Sequence, residues 1–335
     1  MKSVSIEWDC GKAEIQTLGA MVGPVHFILD SGKVVQPFAI APWSDDSSDE
    51  YAALPGILQR LRGEWPCVPF GAPSETTELP KQWRGFQPNP VDEEIHGFSS
   101  NHHWVIEKES ATSVTLSIDY PENHSFRSLK RTVSGVSGHT ELCCTLTIEA
   151  RNNVETTLAS HPVFSLSKAI GNTEITLSEF EFGHTYPLDV EPNVSRLMPD
   201  IEFKSLQSVP SKEGLQSLTS LPLPFNTEEL VQLCNVRGPV GLINQEGGYA
   251  VNLNYDQDLF PSLLLWISNR GRTAYPWNGR FTGIGIEPVC GAFDFGTDIG
   301  AWPANPIATR GVNTSISLKA GQSLTTSYSF SAKSI

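Results

Sequence analysis

Basic residues are scarce in this chain of 335 residues, which has 23 Lys and Arg against 37 Asp and Glu and a formal net charge of −14. Nucleic-acid binders need clustered Lys and Arg to displace counterions from phosphates. Long apolar runs are also missing, because the stretch around Leu263 to Ile267 is far shorter than the roughly 18 residues that a membrane-spanning helix needs. We therefore predict no nucleic-acid partner and no membrane span.

Cysteine is sparse and carries no pairing pattern. The six cysteines are scattered and contain no Cys-x-x-Cys motif, which argues against a disulfide framework. The first fifteen residues include Glu7, Asp9 and Glu14 and have no apolar core, so they do not form a secretory signal. We therefore expect a cytoplasmic protein.

Long amphipathic helical periods are absent, whereas period-2 alternation recurs along most of the chain and predicts strands. Gly and Pro, at 27 and 24 residues, punctuate the whole sequence without a flexible linker or a fixed repeat. Many short strands with Gly/Pro turns favour an all-β fold, a large antiparallel β-sandwich that spans residues 1–335 as one domain. The strongest strand segments are Ser113–Tyr120, Glu141–Ala150, Glu174–Phe182, Tyr249–Tyr255, Leu263–Ser268 and Thr314–Phe330.

The sequence also predicts the face of one strand, one hairpin turn and two short helices. In Ser113–Tyr120 the apolar residues Val114, Leu116 and Ile118 share one face, which indicates a half-buried antiparallel strand. A hairpin turn is predicted at Ala320-Gly321-Gln322, where Gly tolerates a positive φ. The best helix candidates are 52–61 and 227–233.

Two loop-like segments are candidates for ligand binding. Arg62 stands beside Gly63 in a Pro-rich segment, where it suits capture of an anion or of sugar hydroxyls, or else is a solvated surface residue. Three histidines, His96, His102 and His103, lie close together in sequence. Their spacing does not match a zinc site and no cysteine pair accompanies them, so we predict no metal.

Two further segments carry candidate acid and base groups. His161 precedes Pro162, which restricts its backbone to extended conformations, and histidine exchanges protons near neutral pH. The alternative is a structural histidine. Glu287 lies in an apolar strand, where a carboxylate is costly unless it is paired. It is therefore either a general base with a raised pKa or the partner of Arg280 or Arg272 in a buried ion pair.

In order and approximate spacing these segments resemble the aldose 1-epimerase, or galactose mutarotase-like, family. The resemblance spans most of the chain, and its motifs are His96-Gly97-Phe98 followed by Trp104, His161-Pro162-Val163-Phe164, Trp266, and Ile286-Glu287-Pro288. The segments Arg62-Gly63, Pro66 and Phe70-Gly71 look like the branch that acts on hexose 6-phosphates. The family implies a large antiparallel β-sandwich with an open groove and with neither a metal nor an organic cofactor.

Carried over residue by residue, the resemblance implies an isomerase that interconverts sugar anomers by ring opening and closure. His161 is the implied general acid, Glu287 the general base, and His96 holds the sugar near its ring oxygen. Arg62 and Trp277 are further predicted binding residues. Asp256, after the strand Tyr249–Tyr255, is a predicted acceptor for sugar hydroxyls, or else an ordinary turn cap.

Two departures from the phosphate-handling branch leave the substrate open between a free and a phosphorylated aldohexose. Ser99-Ser100 replaces the Ala-Arg pair that commonly follows His-Gly-Phe, and the segment between Trp266 and Glu287 lacks the Asp of that branch. The competing hypotheses are a carbohydrate-binding protein that has lost turnover and a sandwich that binds a partner protein through its acidic surface.

Overall fold

The computed structural model describes residues 2–73, 78–89, 91–92 and 94–335. In chain order the first strands are β1 (Ser3–Trp8), β2 (Gly11–Gln16), β3 (Val22–Ile28), β4 (Val34–Val35), β5 (Pro66–Cys67), β6 (Val105–Glu109), β7 (Ser113–Asp119), β8 (Phe126–Gly135), β9 (Glu141–Ala150), β10 (Val154–Thr156), β11 (Leu158–Ser160) and β12 (Val163–Ser165). The remaining strands are β13 (Thr173–Glu179), β14 (Phe182–Thr185), β15 (Glu202–Phe203), β16 (Val209–Ser211), β17 (Gly214–Gln216), β18 (Ser220–Leu221), β19 (Thr227–Cys234), β20 (Arg237–Asn244), β21 (Tyr249–Asn254), β22 (Ser262–Asn269), β23 (Thr282–Cys290), β24 (Ile316–Leu318) and β25 (Ser323–Ser334).

Helices are few and short in the described ranges. The α-helices are α1 (Asp49–Ala52), α2 (Phe98–Asn101) and α3 (Gly296–Gly300), and single 3₁₀ turns lie at Gly56–Leu58, Lys81–Trp83 and Ala308–Arg310. Among the residues that the structure describes, no helix has both the length and the apolar character needed to span a bilayer.

Two large antiparallel sheets dominate the molecule. One has the strand order β15-β14-β19-β22-β23-β11-β5, with β12 also paired to β23, and the other has the order β18-β13-β20-β21-β25-β9-β8-β7-β6. Apolar side chains from both sheets form one buried cluster, which includes Leu265 and Ile286 from the first sheet and Leu129 and Leu253 from the second. The predicted all-β sandwich is therefore confirmed.

The sheet that contains β22 and β23 is covered on both faces. Along β22 the side chains of Leu263, Leu265 and Ile267 join the cluster between the two sheets. The alternate side chains of Leu264 and Trp266 belong to a second cluster on the opposite face. Because successive strand residues point to opposite faces, this strand faces the sandwich core with one set of residues and a loop-covered layer with the other.

Strand predictions with clear alternation are confirmed. The segment predicted at 141–150 coincides with β9, and β7 runs over Ser113–Asp119 with Val114, Leu116 and Ile118 buried and Asp119 exposed. The predicted segment 174–182 divides into β13 and the start of β14. These are strands with one face on the core, for which alternation is a direct signal.

The helix predicted over 227–233 is wrong, because these residues form β19, which pairs with β14 on one side and β22 on the other. Every residue of β19 is buried, so its two faces do not differ enough in polarity to give a strand signature. The helix predicted over 52–61 is present only as the end of α1 and the 3₁₀ turn Gly56–Leu58, with Pro55 between them.

The hairpin predicted at Ala320-Gly321-Gln322 is also wrong. The chain does turn there, with Gly321 at φ 75°, but β24 before the turn pairs with β10, and β25 after it pairs with β9 and β21. The turn residues determine only the local change of chain direction. Which strands β24 and β25 pair with depends on the rest of the fold.

Candidate active site

The second apolar cluster surrounds a cavity on the outer face of the sheet that contains β22 and β23. Its volume is about 200 Å³, which is below the roughly 300–1,000 Å³ typical of sites for drug-sized ligands, so it fits a smaller molecule. Aromatic and aliphatic side chains form most of the wall, and its polar residues are His96, His161, Tyr186, Arg272, Glu287 and Asp294.

The fold brings His161 and Glu287 together in this wall. His161 lies between β11 and β12, and its backbone N–H donates to the Trp65 carbonyl at 2.9 Å. Glu287 lies in β23, opposite Leu264 of β22. His161 Nε2 is 3.5 Å from Glu287 Oε1, and both side chains are almost fully buried. Two titratable groups that are far apart in sequence therefore face each other in the cavity wall.

Burial sets the protonation of this pair. It raises the pKa of Glu287 well above its usual value, and the nearby charge of Asp294 acts in the same direction. Burial also lowers the pKa of His161 well below its usual value, and His96 adds to this effect. Both shifts favour uncharged groups, because a low-dielectric environment penalises charge. The uncharged forms are a protonated Glu287 and a neutral His161.

Neighbouring rings fix the orientation of the two histidines. The His161 ring stacks on Trp65 with centroids 4.2 Å apart, and the His96 ring stacks on Phe70 at 4.9 Å. The two imidazoles meet edge to face at 5.2 Å. Such contacts restrict ring rotation, so each nitrogen keeps a defined direction.

His96 is held as a neutral donor. Its Nδ1 accepts a hydrogen bond from the Gly71 backbone N–H at 3.2 Å, and burial lowers its pKa to about 3. A neutral imidazole that accepts at Nδ1 carries its hydrogen on Nε2. His96 can therefore donate a hydrogen bond to an oxygen atom of a ligand in the cavity.

Arg272 supplies positive charge to the cavity wall. Its guanidinium lies over the rings of Trp277 and Trp266, at 4.8 and 5.7 Å from the ring centroids. Its Nε is 4.0 Å from Oε2 of the buried Glu228. The Glu228 carboxylate also accepts hydrogen bonds from Trp266 Nε1 at 3.2 Å and from Ser268 Oγ at 2.6 Å. Glu228 thus anchors both an aromatic wall and the cation beside it.

Of the predicted site residues, His161, Glu287, His96 and Trp277 line the cavity, whereas Arg62 and Asp256 lie outside it. Arg62 is buried, and its guanidinium donates to the backbone carbonyls of Arg60 and Gly23.

Asp256 Oδ1 accepts from the backbone N–H groups of Asp258 and Leu259, as expected of a turn cap. Both Arg62 and Asp256 are engaged with local backbone, so neither enters the function proposed below.

The buried ion pair considered for Glu287 is not present. Arg280 pairs with Asp46 at 3.2 Å, and Arg272 lies beside Glu228. In the described part of the chain, the group in ion-pair distance of Glu287 is His161. Glu287 is therefore a buried carboxyl group without a permanent cation.

The three histidines near residue 100 separate in the fold. His102 Nε2 contacts Glu94 Oε1 at 2.9 Å, and His103 Nδ1 contacts the Thr17 hydroxyl at 2.9 Å, whereas His96 lines the cavity. Across the described ranges, no group of three or more His, Cys, Asp or Glu side chains is arranged to hold a metal ion.

Sequence reasoning missed Tyr186, Glu228 and Asp294. Glu228 lies in the strand that was predicted as a helix, which hid its position opposite Ser268. Asp294 stands in the glycine-bounded segment 291–296, directly after the Glu287 strand. Polar residues in loops at the end of a buried strand are frequent site residues, and this signal was available for Asp294.

No family model matches the chain, and no curated protein matches it by sequence. Solved structures match along the whole length. A putative aldose 1-epimerase from Escherichia coli K12 is 17% identical with a TM-score of 0.67, over 100% of this chain and 99% of that one.

Two further structures match similarly. A GalM/aldose epimerase homologue from C. elegans is 14% identical with a TM-score of 0.64, over 100% of this chain and 99% of that one. A galactose mutarotase-like protein from Lactobacillus casei ATCC 334 is 15% identical with a TM-score of 0.62, over 99% of this chain and 100% of that one. At such identities the likeness establishes the fold, and the chain has the galactose mutarotase-like sandwich fold.

Proposed function

We propose that this protein is a mutarotase, an isomerase that interconverts the α and β anomers of an aldohexose. One observation carries the proposal: an imidazole and a carboxyl group lie 3.5 Å apart in the wall of a small cavity. The reaction needs one group that accepts a proton from the anomeric hydroxyl and another that donates a proton to the ring oxygen. His161 and Glu287 supply this pair.

In the proposed reaction the carboxyl proton of Glu287 first moves to His161. The Glu287 carboxylate then takes the proton of the anomeric hydroxyl while C1–O1 becomes a carbonyl. The bond between C1 and the ring oxygen breaks, its electron pair goes to that oxygen, and His161 protonates it. Rotation about C1–C2 and reversal of these steps give the other anomer, and every proton returns to its starting group.

The buried environment makes each group more reactive in its role. Burial raises the pKa of Glu287, so its carboxylate is a stronger base than an exposed glutamate. Burial lowers the pKa of His161, so its imidazolium is a stronger acid than an exposed one. Positioned acid and base groups each contribute about 10²- to 10⁴-fold to a rate.

The rest of the cavity suits an uncharged sugar. Trp65, Trp266 and Trp277 provide flat apolar walls, and His96 provides a hydrogen-bond donor. Arg272 is balanced by the adjacent Glu228, and Asp294 adds a further carboxyl group. Among the described residues that line the cavity, Arg272 is the one Lys or Arg, and it already lies beside Glu228, so we propose a free aldohexose rather than a hexose phosphate.

NMR exchange spectroscopy on glucose, galactose and glucose 6-phosphate tests the proposal, because it measures the rate of anomer exchange at equilibrium. We expect acceleration for a free hexose, and strong loss of it in His161→Ala and Glu287→Gln. Wild-type rates in both variants would remove the assignment of the pair. Saturable sugar binding without faster exchange would instead identify a carbohydrate-binding protein, and preference for the phosphorylated sugar would overturn the choice of substrate.

A further inference from the structure

Asp294 is a second acidic residue of the cavity and has no part in the proton transfers described above. It lies in the loop between β23 and α3, flanked by the buried rings of Phe293 and Phe295. It lines the same cavity as His161 and Glu287. Its carboxyl group is therefore a candidate ligand-binding group of the cavity.

The loop that carries Asp294 is rigidly held. The side-chain amide of Gln232 donates to the Gly291 carbonyl at 2.9 Å and accepts from the Phe293 backbone N–H at 2.6 Å. The Asp294 carbonyl accepts from the backbone N–H of Ala72 at 3.0 Å. Phe293 has φ 48°, a left-handed conformation that costs energy for a bulky residue. Strain of this kind persists where the surrounding structure fixes one geometry.

The Asp294 carboxyl group is incompletely satisfied. Its Oδ1 atom is buried and has no hydrogen-bond partner in the described part of the chain. By contrast, the buried Glu229 accepts hydrogen bonds from the Thr227 hydroxyl and from the backbone N–H groups of Arg196 and Leu197. Among the buried side-chain atoms without a partner in the described residues, Asp294 Oδ1 is the one carboxylate oxygen, and such a group calls for a specific explanation.

The Asp294 carboxyl group can accept a hydrogen bond in either protonation state. Burial raises its pKa, while the Tyr186 hydroxyl and the Arg272 guanidinium oppose that effect. An ionised carboxyl group offers only acceptor sites, and a protonated one keeps acceptor capacity beside its O–H group. Sugar hydroxyls are donors, and the half-buried Asp294 side chain, which lines the cavity, can accept a hydrogen bond from one of them.

We propose that Asp294 is a substrate-binding residue, and that its carboxyl group accepts a hydrogen bond from a hydroxyl group of the bound sugar. This inference rests on the proposed function, since it requires a polyhydroxylated ligand. Asp294 carries no proton in the reaction. It selects the sugar by the position of one hydroxyl group, and it holds the ring against the His161–Glu287 pair.

Isothermal titration calorimetry with D-glucose, D-galactose and their monodeoxy analogues tests this role. Asp294→Asn keeps the shape of the side chain and removes the charge, so we expect binding of the parent sugar to weaken about 10- to 100-fold, as for loss of a hydrogen bond to a charged group. One monodeoxy analogue should bind the wild type and the variant equally, because it lacks the hydroxyl that Asp294 contacts. Asp119→Asn, at an exposed position of β7, is the matched control and should bind like the wild type.

The possible outcomes separate the two proposals. If Asp294→Asn weakens all analogues by the same factor, or weakens none, the contact is overturned even where the wild type catalyses anomer exchange. If the wild type binds sugar without exchange, the mutarotase proposal fails while the analogue comparison still decides Asp294. If the wild type binds no sugar, both proposals fail. Thermal denaturation checks the fold of each variant, and Asp294→Ala gives the same comparison if the Asn variant does not fold.

Discussion

Glu64 and Glu287 are both almost fully buried, but their surroundings differ in charge. Glu64 lies between the two sheets and contacts the guanidinium of Arg131 in β8. It also accepts hydrogen bonds from the Tyr328 hydroxyl at 2.6 Å and from the Ser160 hydroxyl at 3.1 Å. Glu287 faces the cavity and has the imidazole of His161 at 3.5 Å.

This difference separates a structural carboxylate from one that is available for chemistry. Arg131 also donates to the Ala20 carbonyl at 2.6 Å, so the ion pair is tied into the backbone. Glu64 precedes Trp65, which stacks on His161, and its partner Ser160 precedes His161 itself. The ion pair of Glu64 and Arg131 therefore lies next to the residues that position His161. Charge compensation, more than burial, distinguishes the two glutamates.

The same substitution at both glutamates is the strongest test of this comparison. Glu287→Gln removes the proposed base, so we expect anomer exchange per folded molecule to fall by about 10²- to 10⁴-fold. Glu64→Gln leaves the His161–Glu287 pair in place, and its folded fraction should keep most of the activity. NMR exchange rates, normalised to the folded fraction from circular dichroism, give both values. Equal losses in the two variants would refute the distinction.

Removal of the Arg131 guanidinium should lower the stability of the fold rather than the rate of anomer exchange. Arg131→Met leaves Glu64 buried and unpaired, so we expect the free energy of unfolding to fall by about 3–5 kcal/mol. The control is Lys130→Met, which removes an ion pair with Glu107 between side chains that are 57% and 37% exposed and should cost about 1 kcal/mol or less. Urea denaturation measures both changes. Similar small losses would mean that the buried pair contributes little, and recovery in the Arg131→Met, Glu64→Leu double variant would locate the loss in the unpaired charge.

Glu287→Gln should stabilise the fold, in contrast to Arg131→Met, and its effect should be smaller. The pKa of Glu287 is raised in the folded state, so in the wild type stability is lost as pH rises from about 4.5 through the folded pKa. Glutamine does not ionise, so the free energy of unfolding of the variant should match that of the wild type near about pH 4 and exceed it by a growing margin as the pH rises towards about 8. Denaturation curves across this range measure the difference. A gain that does not change with pH would contradict an uncompensated carboxyl group.

The sequence predicted the fold class and several strands, because a half-buried strand shows its two faces in alternate residues. β7 and β9 carry that pattern. β19 is buried on both faces and was misassigned, so Glu228 and Gln232 were not recognised as residues of the cavity side. Alternation reports how one strand divides between core and solvent, and it is weak where both faces are covered.

The candidate site was predicted only in part. Motif resemblance identified His96, His161 and Glu287, Trp277 was a further predicted binding residue, and the structure brings these four residues into one cavity. Their catalytic and binding roles stay predictions. Asp294 belongs to none of the motifs. Its place in the cavity wall depends on the conformation of its loop, which Gln232 holds by two hydrogen bonds.

By itself the sequence determined the strand character of the half-buried segments, the acidic surface and the presence of a histidine and a glutamate in apolar surroundings. These are properties of neighbouring residues and of composition. Only the tertiary structure decided that Arg131 neutralises Glu64, that Arg272 lies beside Glu228, and that, among the described residues, the group in ion-pair distance of Glu287 is His161. The physical reason is that electrostatic compensation depends on the distance between side chains in space, and partners from different strands have no fixed separation along the chain.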